Sequence, residues 1–174
     1  EINFAEMTSK LKKNLAGALV YDRGETIKDV TRIKLEFQPI GELKKIYANP
    51  LDFDAIFACM ITNSIKALSE VESTREEYKI IIKVWKQHGK LKISFYDNGL
   101  GIKEEDWEQI FKEYVSIHDN PLMKGMGLGL PIVRDIVSVS YDGDFKLDKT
   151  IDDDEKPGEG ETTFMLEIPL KNLQ

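Results

Sequence analysis

Ser94-Phe95-Tyr96-Asp97-Asn98-Gly99-Leu100-Gly101-Ile102 and, further on, Lys124-Gly125-Met126-Gly127-Leu128-Gly129-Leu130-Pro131 are the stretches on which the reading of this chain turns. In the first, an apolar strand stops on an acid and the chain turns through Gly99 and Gly101, so Asp97 stands at a strand end beside unobstructed backbone. That is a place for a ligand. In the second, Gly125, Gly127 and Gly129 directly precede a helix, where amides without side chains offer N–H donors to an anion and the helix dipole adds to the attraction. Phosphate is the natural candidate. Each stretch alone has a plainer reading: Asn-Gly between apolar runs is a common hairpin turn, and Gly-x-Gly-x-Gly is a loop before a helix. A dinucleotide-binding fingerprint fits less well, because it needs a strand immediately before the glycines and a different spacing.

Upstream, Asn49-Pro50 signals a helix start, and Phe53, Ile56, Phe57, Met60, Ile61, Ile65 and Leu68 follow at three- and four-residue steps. At about 100° per residue, Cys59, Asn63 and Lys66 fall on one narrow strip at the edge of that apolar face. Asn63 is the odd residue there, since a polar amide near a packing face must be hydrogen-bonded or carry a cost of about 1–3 kcal/mol. Between this helix and Asp97, Ile80, Ile82 and Val84, then Leu91, Ile93 and Phe95, alternate as two antiparallel strands joined by a turn at Gln87-His88-Gly89-Lys90.

The rest is organised around these pieces. Ile2 and Phe4 predict a short strand, and Met7, Leu11, Leu15 and Leu19 a helix that Gly24 ends. Ile33, Leu35 and Phe37 predict a half-buried strand reaching Gln38-Pro39, with a short extended piece near Ile46 and Tyr47 beside it. Glu104 to Tyr114, with Trp107, Ile110, Phe111 and Tyr114 at helical spacing, predicts a small helix on the rim of a cleft. Val115 to Lys124 reads as a polar lid. Pro131 begins a helix through Ile132, Val133, Ile136 and Val137 to Tyr141-Asp142-Gly143. A strand at Phe145 and Leu147, an acidic loop over 152–155 and a last strand at Phe164, Leu166 and Ile168 close the chain. His88 on a turn and His118 in the lid read as solvated loop residues.

Composition bounds the function. The 174 residues, 41% hydrophobic, suit one domain with a proper core. Twenty-four basic against 31 acidic residues give a net charge of −7, which argues against a nucleic-acid or anionic-membrane surface, so an anionic ligand needs local donors. A single cysteine, Cys59, rules out an internal disulfide and a cysteine-based metal site and suggests a reducing, cytoplasmic setting. The longest apolar run, 55–61, is far short of the roughly 20 residues of a membrane span. The start at Glu1, without an initiator methionine or signal pattern, reads as a fragment of something longer.

The order of the pieces resembles the ATP-binding domain shared by sensor histidine kinases, gyrase-type ATPases, heat-shock-protein-90 chaperones and mismatch-repair clamps, over essentially the whole chain. Among these it looks most like the catalytic domain of sensor histidine kinases. Asn63-Ser64-Ile65-Lys66-Ala67 resembles their N box, whose asparagine holds Mg²⁺ and whose basic residue approaches the phosphates. Asp97-x-Gly99-x-Gly101-Ile102 resembles the first glycine box, whose aspartate accepts a hydrogen bond from the adenine amino group. Ile110 to Tyr114 resembles the aromatic box that seats the lid. Gly125-x-Gly127-Leu128-Gly129-Leu130, with Lys124 before it, resembles the second glycine box around the phosphates, and Gly160-Glu161-Thr162-Thr163-Phe164 the closing strand, with a threonine near the adenine. The resemblance implies a two-layer α/β sandwich of the Bergerat type, a mixed, mainly antiparallel sheet with helices on one face, occupying residues 1–174 as a single domain.

It also implies ATP and Mg²⁺ as ligands, with Asn63 and Lys66 in catalytic roles. Partners would be an upstream dimerisation and phosphotransfer domain and a response regulator, in a homodimeric full-length protein; the domain itself would contact neither membrane nor nucleic acid. Two departures stand out. Cys59 occupies a position where kinases of the family usually carry another asparagine and gyrase-type ATPases a water-activating glutamate, so autonomous hydrolysis should be poor. No helical hairpin bears a phosphoacceptor histidine. The alternatives are an ATP-driven conformational switch of the gyrase or chaperone type and a nucleotide-binding domain without catalysis.

Overall fold

The two alternating runs around Gln87-His88-Gly89-Lys90 fold as a hairpin, β4 (Tyr78–Gln87) and β5 (Lys90–Asp97), with Ile80, Ile82, Val84, Leu91, Ile93 and Phe95 buried on one face. His88 and Gly89, with φ of 50° and 73°, form its two-residue turn; positive φ at both centres matches the twist of the strands. The computed structural model describes residues 2–3, 6–7, 9–10, 13, 33–39, 45–71, 77–113, 127–152 and 159–173. It completes the sheet with β2 (Ile33–Pro39), β6 (Asp144–Ile151) and β7 (Glu161–Pro169), in the order β2-β4-β5-β7-β6. Only β2 and β4 run parallel; the other neighbours are antiparallel.

One face of this sheet is covered by α1 (Pro50–Ser69) and by α2 (Gly129–Asp135), which continues as a π-helical turn over Ile136–Ser140. Helix α1 starts where the sequence sets the signal: the Asn49 side chain accepts the Leu51 N–H at 3.1 Å, Pro50 opens the first turn, and Asp52 favours the positive helix end. Its stripe Phe53, Phe57, Met60, Ser64, Leu68 is buried, and the Phe57 ring meets Phe95 edge-on at 5.3 Å. Fully burying each such aromatic contributes about 1.5–3 kcal/mol, so this contact joins the layers. The opposite sheet face carries charge, as where Glu167 on β7 takes Lys90 at 2.7 Å and Lys92 at 3.0 Å. The two-layer, mainly antiparallel α/β sandwich expected from the resemblance is the observed fold.

Three expectations are corrected. The extended piece at Lys45–Ile46 (β3) does not join β2; it pairs antiparallel with β1 (Ile2–Asn3) as a separate two-stranded sheet. The segment 104–113 is not a regular helix but a 3₁₀ turn at Glu104–Asp106 followed by further turns, tied by Lys112 N–H to Gln109 C=O and similar bonds. Tertiary anchors override the helical spacing: Trp107 Nε1–H donates to the Ile102 carbonyl at 3.0 Å, and Phe111 packs edge-on against Phe145 and Phe164. The helix foreseen from Pro131 begins two residues earlier, at Gly129, and changes to π geometry at Ile136. At the N-terminus, Glu6, Met7, Ser9, Lys10 and Lys13 are helical, whereas Phe4, Leu11, Leu15, Leu19 and Gly24 lie outside the described residues.

Candidate functional site

Asp97 closes β5 and is 2% exposed. A carboxylate taken out of water needs hydrogen bonds on its oxygens, and both have one. The Ser64 hydroxyl on α1 donates to Oδ2 at 2.8 Å, and the Gly99 N–H donates to Oδ1 at 3.0 Å. Across the ladder, Thr162 of β7 lies in register with Asp97, so both side chains stand on the helix-covered face; Thr162 is buried too. Thr163 pairs with Tyr96 and faces the other way. Among the described residues four polar or charged side chains are buried, and three of them, Ser64, Asp97 and Thr162, meet here; the fourth is Ser94.

The first glycine turn is held by close backbone packing. A Cβ on Gly99 would lie 2.6 Å from the Ala67 Cβ on α1, so the turn rests against the helix one step past Lys66. Gly101 has φ 81° and a Cβ there would lie 1.8 Å from the Ile151 carbonyl oxygen, which no side chain allows. Ile102 is buried, its N–H donating to Thr150 Oγ1 at 2.9 Å. Asn98 does not form a hairpin with Gly99. Its Oδ1 accepts the Lys79 N–H at 2.6 Å and its Nδ2 donates to the Glu77 carbonyl at 2.9 Å, which fastens the end of β5 to the start of β4.

The second glycine turn reaches the same helix. Gly127, Leu128, Gly129 and Leu130 are half-buried, and a Cβ on Gly129 would lie 3.9 Å from the Cys59 Cβ. Cys59 and Ala67 are eight residues apart on α1, about 12 Å along its axis. Asn63 and Lys66 lie on the helix between the two glycine contacts. Both are half-buried, and neither side chain has a hydrogen bond or ion pair among the described residues. Burial pushes the Cys59 thiol up from its ordinary range, so it sits there as a neutral group. Tyr114, Lys124, Gly125, His118 and the expected lid lie outside the described residues.

Sequence reasoning missed Ser64 and a second, part-buried link. The Tyr141 hydroxyl donates to Asp52 Oδ2 at 2.9 Å and accepts the Asn49 N–H at 3.2 Å, joining the end of the α2 segment to the start of α1. Desolvation, reinforced by the Asp52 hydrogen bond, pushes its phenol up to about 12. The signal for Ser64 was present: positions 53, 57, 60, 64 and 68 form the apolar stripe, and Ser64 is the polar interruption at its centre. Asn63 stands one step off it.

The histidine kinase-, DNA gyrase B- and HSP90-like ATPase family matches residues 48–172. The chain belongs to this family. Members with sequence likeness to it include the sensor protein RprX of Bacteroides fragilis, 31% identical over 94 residues, which are 53% of this chain and 17% of RprX. Another is the phytochrome-like protein Cph1 of Synechocystis, 28% identical over 135 residues, 76% of this chain and 16% of Cph1. The chain thus spans about a sixth of these curated relatives. Among solved structures, the catalytic domain of histidine kinase ThkA superposes with a TM-score of 0.68 at 20% identity, covering 98% of this chain and 96% of that one. Full-length ShkA in complex with AMPPNP gives 0.69 at 16% identity, covering 97% and 30%. At these identities the likeness is one of fold, and it is the fold of histidine kinase catalytic domains. RprX carries the name of a sensor protein and ThkA that of a histidine kinase. Among the described residues no helix is long and apolar enough to cross a membrane.

Proposed function

We propose that this domain binds ATP with Mg²⁺ and passes the γ-phosphoryl group to a histidine on a separate helical dimerisation domain, as the catalytic part of a cytoplasmic two-component sensor histidine kinase. The observation that carries this reading is that α1 touches both glycine turns, with Asn63 and Lys66 between them and the buried Asp97 carboxylate bonded to the next residue, Ser64. A carboxylate is an acceptor only, so Asp97 can take a hydrogen bond from the adenine amino group and has nothing to offer a guanine carbonyl. Thr162 stands beside it.

The donor set fits the ligands. Asn63 has an amide oxygen uncommitted among the described residues, a hard donor suited to Mg²⁺, which keeps several waters and takes further oxygens from phosphates. Asn63 together with the phosphates is the donor set we assign to the metal. Bound Mg²⁺ would supply charge neutralisation at the phosphates. Lys66 is placed to add positive charge, with Lys124 as a second candidate. Phosphoryl transfer relies on such positioning more than on covalent chemistry from the protein. At Cys59 there is no carboxylate to take a proton from water, which favours transfer over hydrolysis.

His88 sits in the β4–β5 turn and His118 lies outside the described residues; we place the acceptor on a separate segment or chain, in a homodimeric full-length protein that signals to a response regulator. The test is to give the full-length protein, or this chain mixed with its helical partner domain, γ-labelled ATP. An acid-labile, base-stable label on the partner is expected. Steady-state hydrolysis by this chain alone, with no labelled partner, contradicts the proposal.

A further inference from the structure

We infer that Ser64, a residue without an assigned role, is a positioning residue that makes Asp97 selective for a purine bearing a 6-amino group; this rests on the nucleotide reading proposed above. A serine inside a helix usually satisfies its hydroxyl on the carbonyl one turn back. Ser64 does not. It lies at the centre of the buried stripe of α1, 2% exposed, and its hydroxyl proton goes to Asp97 Oδ2 at 2.8 Å, a bond spanning 33 positions of sequence.

The consequence for Asp97 is geometric. The torsion that turns a carboxylate about its last bond is soft and roughly two-fold, so one donor leaves the group free to swing. Donors reach Asp97 from two directions, Gly99 N–H on Oδ1 and Ser64 O–H on Oδ2. They fix the plane of the carboxylate, whose oxygens can each accept more than one hydrogen bond. Because the Ser64 hydrogen is committed to Asp97, the hydroxyl offers only lone pairs to anything else. The pair Ser64–Asp97 therefore forms an acceptor-only surface of fixed orientation. An amino group satisfies it, a ring carbonyl is repelled, and a bare C–H leaves an acceptor unpaired.

Calorimetry with ADP and with purine riboside 5′-diphosphate, in which hydrogen replaces the 6-amino group, separates this from a merely structural serine. In the wild-type chain ADP should bind more tightly than the analogue. Ser64→Ala should lower the ratio of the two affinities about five- to tenfold, the worth of one buried hydrogen bond, mostly by weakening ADP. Ser64→Cys, similar in volume and a weak donor, should give an intermediate ratio, and it carries the test if the alanine variant does not melt cooperatively. A ratio unchanged in both variants, whether the two affinities stay put or fall together, overturns the inference while the nucleotide reading stands. Absence of ADP binding by the wild-type chain overturns the nucleotide reading and this inference with it.

Discussion

The two ends of the α1 strip are built differently. At the Asp97 end each carboxylate oxygen accepts a hydrogen bond from the protein, the neighbours Ser64 and Thr162 are buried, and the glycine turn is wedged between Ala67 and Ile151 with no room for a side chain. At the other end the second glycine turn approaches Cys59 only at ordinary contact distance, and between the two turns the Asn63 amide and Lys66 are half-buried and uncommitted among the described residues. The contrast separates recognition from chemistry. A base read by one carboxylate needs that group immobile in advance, because its desolvation is already borne by the fold. Groups that handle phosphate and metal need free donor atoms, and they take their partners from the ligand.

The difference can be broken at either end. Gly101→Ala should have the largest effect: φ of 81° and a carbonyl oxygen 1.8 Å from the new methyl should destabilise the fold by about 3 kcal/mol or more. An unchanged melting temperature would show that the first turn is not wedged as described. Asp97→Asn keeps the shape but presents amide hydrogens to Ser64 or the ligand. It should weaken binding of a non-hydrolysable ATP analogue about 10- to 100-fold, the range for a hydrogen bond to a charged group, and calorimetry that finds full affinity contradicts the assignment of that end. Asn63→Ala should leave the unfolding free energy within about 0.5 kcal/mol of wild type, as for sites without committed partners. It should also spare metal-free ADP binding and abolish Mg²⁺-dependent phosphotransfer; retention of that transfer removes the asparagine from the metal site.

The smallest effect belongs to a control on the opposite sheet face. Hydrogen bonds from Lys90, then Lys92, hold the Glu167 carboxyl down at about 2, against an ordinary 4.5. For a depressed acid the stabilisation is full above about pH 4.5 and is lost as the pH falls through about 2. Melting curves of wild type should therefore drop more steeply across that window than those of Glu167→Gln. Nucleotide affinity at neutral pH should be equal in the two, and a difference there would mean that the two sheet faces are coupled.

What could be read in the sequence follows from how local the cause is. The β4–β5 hairpin, α1 and β7 were legible because alternation, an Asn-Pro start and a three-to-four spacing are properties of neighbours in sequence. The segment 104–113 was not: its spacing is helical, but the Trp107 bond to Ile102 and the packing of Phe111 on Phe145 and Phe164 decide its shape. The π-helical turn at Ile136–Ser140 left no mark in the pattern. The pairing of β3 with β1 rather than β2 is likewise set by partners distant in sequence. At the site, residue types pointed to Asn63 as the anomaly of α1, whereas the buried anomaly is Ser64, since only the stripe's phase against the sheet determines which of two adjacent polar residues faces inward. Thr162 and Thr163 could not be told apart for the same reason; the register with Asp97 and Tyr96 separates them.

The central claim is that Asp97 and Asn63 border one nucleotide site. A crystal structure of this chain with Mg²⁺ and a non-hydrolysable ATP analogue tests it most directly. The account predicts the adenine amino group within hydrogen-bonding distance of the Asp97 carboxylate and the triphosphate with its metal at Asn63. A nucleotide bound away from α1, or with its base turned from Asp97, would contradict it.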